Sequence, residues 1–146
     1  MKIDIKKAHI YDEAGKVTAY IGARSGEYKQ VAITVNEHQA LDTFWYDGCN
    51  NVTNILKRFV TGISPVDMHH PDDAEVFTII LDAPHIDANM EQTIVSTVSI
   101  YMINYIVSQW LNICSSNDAK IYEAKAANEV EVIKRMIYHR KMPVMG

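Results

Sequence analysis

From Ile94 to Cys114 the chain runs for 21 residues without a formal charge, IVSTVSIYMINYIVSQWLNIC. A stretch of that length is either a membrane span or a helix that the rest of a domain surrounds. Its polar residues decide between them. Ser96, Thr97, Ser99, Asn104, Ser108, Gln109 and Asn112 are spread along it, and the amides of Asn104 and Gln109 would need polar partners inside hydrocarbon. A buried helix is expected, with no membrane span. Its apolar side chains, Ile94, Val95, Val98, Ile100, Met102, Ile103, Ile106, Val107, Trp110 and Leu111, point in nearly every direction around the axis, so one neighbouring face cannot cover them. Either the helix is the centre of the domain or a second subunit covers part of it, and the two are compatible. Ile100, Ile103, Val107 and Trp110 are the expected interface residues.

The elements around this helix follow from period and punctuation. Asp87 or Asn89 can cap it, giving a helix over 87–113, and Ser115 or Ser116 can cap the next, over 118–140. About four residues connect them, so they must pack antiparallel, with Trp110 near Tyr122 and Ala126. In the last helix Ala119, Tyr122, Ala126, Val130, Ile133 and Ile137 line one face, and Glu131 with Arg135 forms an i,i+4 pair. Upstream, Asn36 and Gln39 resemble a capping box, and Leu41, Phe44, Trp45, Val52, Ile55, Leu56 and Phe59 keep the helical period, giving a helix over 36–61 closed by Gly62. Phe44 and Trp45 are expected in its core. Residues 62–74 read as an exposed loop, and 75–82 (EVFTIILD) as a strand buried on both faces. The first 35 residues read as β-rich. Residues 7–11 and 17–22 form a hairpin around Gly15, with a short helix over 11–21 as the alternative, and 28–35 form a further strand. The expected fold is a single α+β domain over 1–146: N-terminal β-hairpin and strands, then three long helices, the last two an antiparallel hairpin.

Charge and cysteine content narrow the function. Fourteen Lys and Arg against eighteen Asp and Glu give a net charge of -4. Nucleic acid is therefore not an expected partner, because phosphate contacts need a clustered positive surface. The basic group Lys134, Arg135, His139, Arg140 and Lys141 also complements the negative end of a helix dipole. Cys49 and Cys114 make neither a disulfide framework nor a zinc site. The charged start MKIDIKKAHIYDEAGK lacks the apolar stretch of a secretory signal, so a cytoplasmic location is expected.

Catalytic motifs are not recognisable. No Ser sits in a nucleophile elbow, the glycines at 22 and 26 form neither a dinucleotide fingerprint nor a P-loop, and no cofactor is expected. The alternative to a noncatalytic protein is a metal-binding protein or metal-dependent hydrolase. It would use His69 and His70 with Asp72, and His85 with Asp87, returned to the same end of a sheet by the intervening strand. The spacing matches no zinc or iron motif, and a solvated acidic loop is the simpler account of DMHHPDD.

The second half of the chain has a recognisable rhythm: a strand ending in LDAP, a helix ending YIVSQWLNI, then IYEAKAANEVEVIKRMIYHRKMP. In this it resembles small proteins encoded in prophage-like gene clusters of bacteria, some beside virion structural genes. That resemblance implies virion assembly, as a head-tail connector or tail component, with the chain itself and other structural proteins as partners and a virion-associated location. It assigns no role to any individual residue.

Overall fold

The opening residues KIDIK alternate charged and apolar side chains, the period of a strand with one face buried. In the computed structural model, which describes residues 1–25, 32–33, 38–64, 75–114 and 117–138, they form β1 (Lys2–Lys6), with Ile3 and Ile5 buried and Lys2, Asp4 and Lys6 exposed. Helix α1 (Lys7–Ser25) follows without a break. The expected hairpin over 7–11 and 17–22 is thus overturned, and the alternative helix over 11–21 was right in kind and too short. Ile10, Tyr11, Ala14, Thr18 and Ile21 are all buried, and their three- to four-residue spacing gives α1 one continuous inner face. Burial of that face outweighs the β preference of Val17, Thr18 and Ile21. Gly15 lies within the helix, not at a turn, and a Cβ there would sit 3.7 Å from the Ile33 carbonyl. Of the strand expected over 28–35, only Ala32 and Ile33 are described; they are buried but not in a strand. The rest lies outside the described residues.

Helix α2 (His38–Leu56) ends earlier than its pattern suggested. A turn, closed by Phe59 N–H donating to the Leu56 carbonyl (2.9 Å), leads into β2 (Val60–Ser64), so Gly62 lies in a strand and does not cap the helix. Residues 62–64 of the expected loop therefore belong to the sheet; 65–74 are outside the described residues. β3 (Val76–Leu81) is the central strand, antiparallel to both neighbours in the order β1-β3-β2. Lys2 pairs with Ile80 and Lys6 with Val76 on one side, and Ile63 with Ile79 on the other. β3 is not buried on both faces. Phe77, Ile79 and Leu81 point inward, whereas Val76 is 40% and Ile80 47% exposed. Among the described residues the sheet has helices on one face only, as an α+β fold does.

Asp87 caps a short 3-10 turn (Ala88–Met90), accepting from the Asn89 N–H at 3.0 Å. The chain then enters α3 (Glu91–Ile113) and, after the connection, α4 (Ala119–Tyr138). Both helices of the expected hairpin are present and pack on each other; residues 115, 116, 139 and 140 are outside the described set. Glu131 pairs with Lys134 at 3.9 Å and not with Arg135.

Helix α3 packs against β1, α1, α2 and α4. Ile94, Val98, Met102, Ile106, Val107 and Leu111 are completely or almost completely buried, each contributing about 1.5–3 kcal/mol. Its interior hydroxyls are satisfied within the helix, Thr97 donating to the Thr93 carbonyl (2.9 Å) and Ser108 to that of Tyr105 (2.7 Å). Residues Ala88–Ile113 are long and apolar enough to cross a membrane, and 56% of their most apolar window is buried within the protein. Core packing is a sufficient reason for that apolarity. At Gly48 a Cβ would stand only 2.8 Å from Met102 Sδ and Cε, so the glycine lets α2 lie close against α3.

Candidate functional site

The alternation of β1 leaves Lys2, Asp4 and Lys6 on the open face, and its ladder fixes where their backbone points. Met1 N and the Leu81 carbonyl are 3.0 Å apart, Leu81 N–H donates to the Met1 carbonyl, and Lys7 N–H donates to that of Glu75. In an antiparallel ladder bonded pairs alternate with unbonded ones. Given the register Lys2 to Ile80, Met1, Ile3, Ile5 and Lys7 bond to β3, while the N–H and C=O of Lys2 and Asp4 and the N–H of Lys6 point out of the outer edge; the Lys6 carbonyl stands at the start of α1 and accepts the first bond of that helix.

Beside that edge runs a groove of about 580 Å³. One wall is a stripe of α3: Gln92, Val95, Ser96, Ser99, Ile100 and Ile103, at the i, i+3, i+4 spacing of a single helix face. The other wall is Asp4 and Lys6 of β1 with His9 of the first turn of α1. Ile100 is 46% exposed, and Val95 and Ile103 are half-buried. The floor is apolar and flanked by small hydroxyls; the strand side is charged. Thr78 donates to Asp4 at 2.6 Å, which fixes that carboxylate on the open face.

A second concentration of polar groups is internal. Lys7 Nζ lies 2.7 Å from Asp42 Oδ1, and the Tyr11 hydroxyl donates to the same oxygen at 2.5 Å. The two charged side chains are only 11% and 14% exposed. Tyr11 meets Trp45 edge to face, with ring centroids 6.3 Å apart, and the Lys7 ammonium sits 5.4 Å from the centre of the Tyr11 ring. Burial first, then the bond to Asp42, pushes the Tyr11 phenol far above its ordinary value. Nearby, burial pushes the Cys49 thiol up, with Lys7 opposing it weakly. A nucleophilic cysteine needs the opposite shift, so this cluster ties α1 to α2 and gives no activated nucleophile.

The residues singled out in the sequence separate in space. Ile100 and Ile103 share the groove. Val107 is fully buried and cannot meet a partner on the folded surface; it lies two turns from Ile100 on the same side of α3, and it is core because neighbouring elements cover that end of the helix. Trp110 is half-buried and packs against the core. Of the metal alternative, His69, His70 and Asp72 lie outside the described residues. His85 donates from Nε2 to the Ile137 carbonyl (2.7 Å) and meets Phe59 at a tilt of 44° with ring centroids 4.9 Å apart, and Asp87 is engaged as a cap. Among the described residues, no three His, Cys, Asp or Glu side chains gather as a metal site would require. The β1 wall was not anticipated, although the alternation of KIDIK signals it. No family model, curated protein or solved structure matches the chain, so a functional reading rests on its surface and packing.

Proposed function

We propose that this protein is a noncatalytic structural or assembly component, acting through self-association or other structural proteins, of the kind a phage or prophage uses as a head-tail connector or tail part. The observation that carries the reading is the apolar stripe on α3: Val95, Ile100 and Ile103 line an open groove on a helix whose other apolar side chains Ile94, Val98, Met102, Ile106 and Leu111 are buried in the fold. Exposed apolar surface gathered in a groove with a charged rim is the usual form of an association site. The Lys7, Asp42 and Tyr11 side chains support the same reading, because their bonds join α1 to α2. Sedimentation velocity over a wide concentration range tests it. The wild-type chain is expected to associate, and Ile100→Asp to reduce association while retaining its helical circular dichroism and melting temperature. A wild-type chain that remains monomeric to several hundred micromolar and binds no structural partner overturns the proposal.

A further inference from the structure

We infer that the occupant of the groove is a second copy of this chain, whose β1 adds antiparallel to the free edge of β1 with Asp4 of each protomer opposite Lys6 of the other. This rests on the association reading above and specifies its seam. The outward edge groups are the N–H and C=O of Lys2 and Asp4 and the N–H of Lys6, so only even-numbered residues can face even-numbered residues across a new ladder. Five symmetric registers meet that condition, and the two that pair Lys2 or Lys6 with itself oppose like charges. Pairing Asp4 with itself sets Lys2 against Lys6 and places like charges opposite each other at every bonded position, which is destabilising. Pairing Lys2 with Asp4 gives opposite charges but centres the seam on Ile3, at the end of β1 away from the groove. Pairing Asp4 with Lys6 gives opposite charges twice, lets each Lys6 N–H donate to the Asp4 carbonyl of the other protomer, and centres the twofold axis on Ile5.

Only this last register coincides with the groove, which is lined by Asp4, Lys6 and then His9. A strand overlapping β1 at residues 4–6 runs on beside His9. Because the axis stands perpendicular to the joined sheet, both helical layers fall on the same side, and the α3 stripes of the two protomers approach each other below the seam. Ile100 and Ile103 then meet their own counterparts, and Ser96 and Ser99 are small enough to permit close approach. The interface is isologous and closed, giving a dimer with a six-stranded sheet rather than an open fibre. Strand addition supplies backbone bonds, and the groove and charge pairs set the register.

Charge reversal at low ionic strength tests the seam. Lys6→Asp is expected to raise the dimer dissociation constant about tenfold or more, since two attractive cross-strand pairs become repulsive. It should do so without loss of melting temperature in the dissociated protomer, because Lys6 makes no ion pair among the described residues. Asp4→Lys should weaken the dimer similarly, and the double variant Asp4→Lys/Lys6→Asp should return it to within about threefold of wild type. If Asp4→Lys disturbs folding by losing its bond to Thr78, Lys6→Asp and the double variant still decide the matter. Tighter association of Lys6→Asp identifies the like-charge register and overturns this one. Association indifferent to Lys6→Asp, yet abolished by Ile100→Asp, overturns the Asp4–Lys6 seam and leaves the apolar association standing. A monomeric wild-type chain removes both.

Discussion

Replacing Asp42 by alanine is expected to destabilise this fold more than its single carboxylate suggests. The side chain receives two donors on one oxygen, the Lys7 ammonium at 2.7 Å and the Tyr11 hydroxyl at 2.5 Å. Lys7 is 11% exposed, so removing its partner leaves an ammonium that cannot turn to water without unpacking the junction of β1 and α1. Breaking a buried pair by removing one partner costs about 3–5 kcal/mol. The bond from Tyr11, a hydrogen bond to a charged group worth about 1.5–3 kcal/mol, lies within that range because both donors share one acceptor. The Tyr11 ring, 5.4 Å from the ammonium, offsets roughly 1 kcal/mol. The expected net loss is about 2–4 kcal/mol, a fall in melting temperature of about 4–16 °C for a chain of this size. Chemical denaturation of the wild type, Asp42→Ala, Lys7→Met and the double variant Lys7→Met/Asp42→Leu measures it. The double variant should recover most of the loss, since two apolar side chains leave no orphaned charge. A loss below about 1 kcal/mol for Asp42→Ala would show that the pair is solvated, and would refute the argument that it joins α1 to α2 through a dry contact.

Three further outcomes are expected. Thr18→Val removes the acceptor of the Ile33 N–H (3.0 Å) at a fully buried position and should cost about 1–3 kcal/mol; unchanged hydrogen exchange at Ile33 would contradict it. A thiol reagent at pH 8 should modify the half-buried Cys114 and spare Cys49 until denaturant is added, and two equally fast thiols would contradict the buried assignment. Burial raises the phenols of Tyr11, Tyr101, Tyr105 and Tyr122 above the ordinary value of 10.0. The unfolded chain therefore ionises first as pH rises, so the stability these groups contribute is complete below about pH 10 and lost progressively above it. Ultraviolet titration should show some phenols ionising only on unfolding; ordinary titration of all eight tyrosines in the native state would refute this.

The parts of the fold that were readable from sequence are those where one signal dominates. The uncharged run and the long apolar period after it specify α3 and α4, and the short connection fixes their antiparallel packing. The start of the chain carries two conflicting signals. Val17 through Ile21 favour a strand by residue type, while Ile10, Tyr11, Ala14, Thr18 and Ile21 recur at helical spacing; the second prevails because α3 offers a surface to bury them against. Half of the groove was legible: Ile100 and Ile103 belong to an apolar excess that one face cannot absorb. Which of the expected four residues would be covered was not, since that depends on where α1, α2, α4 and β1 sit, and Val107 went inside. The Lys7, Asp42 and Tyr11 cluster gave no warning, because charged residues read singly as surface and Tyr11 and Asp42 are 31 positions apart.

The ladder between β1 and β3 has a consequence for how the chain is made. Met1 and Leu81, bonded across 80 positions, cannot meet until most of the intervening polypeptide exists, and α3, which covers the inner face of β1, comes later still. During synthesis Ile3 and Ile5 are therefore without their native cover while α1 and α2 already have the length to form helices. Contacts of such sequence separation slow folding. In that interval the first strand offers both edges and its apolar face to any neighbouring nascent chain. Its flanking lysines and central aspartate then act as guards, keeping the growing polypeptide dispersed until β3 arrives.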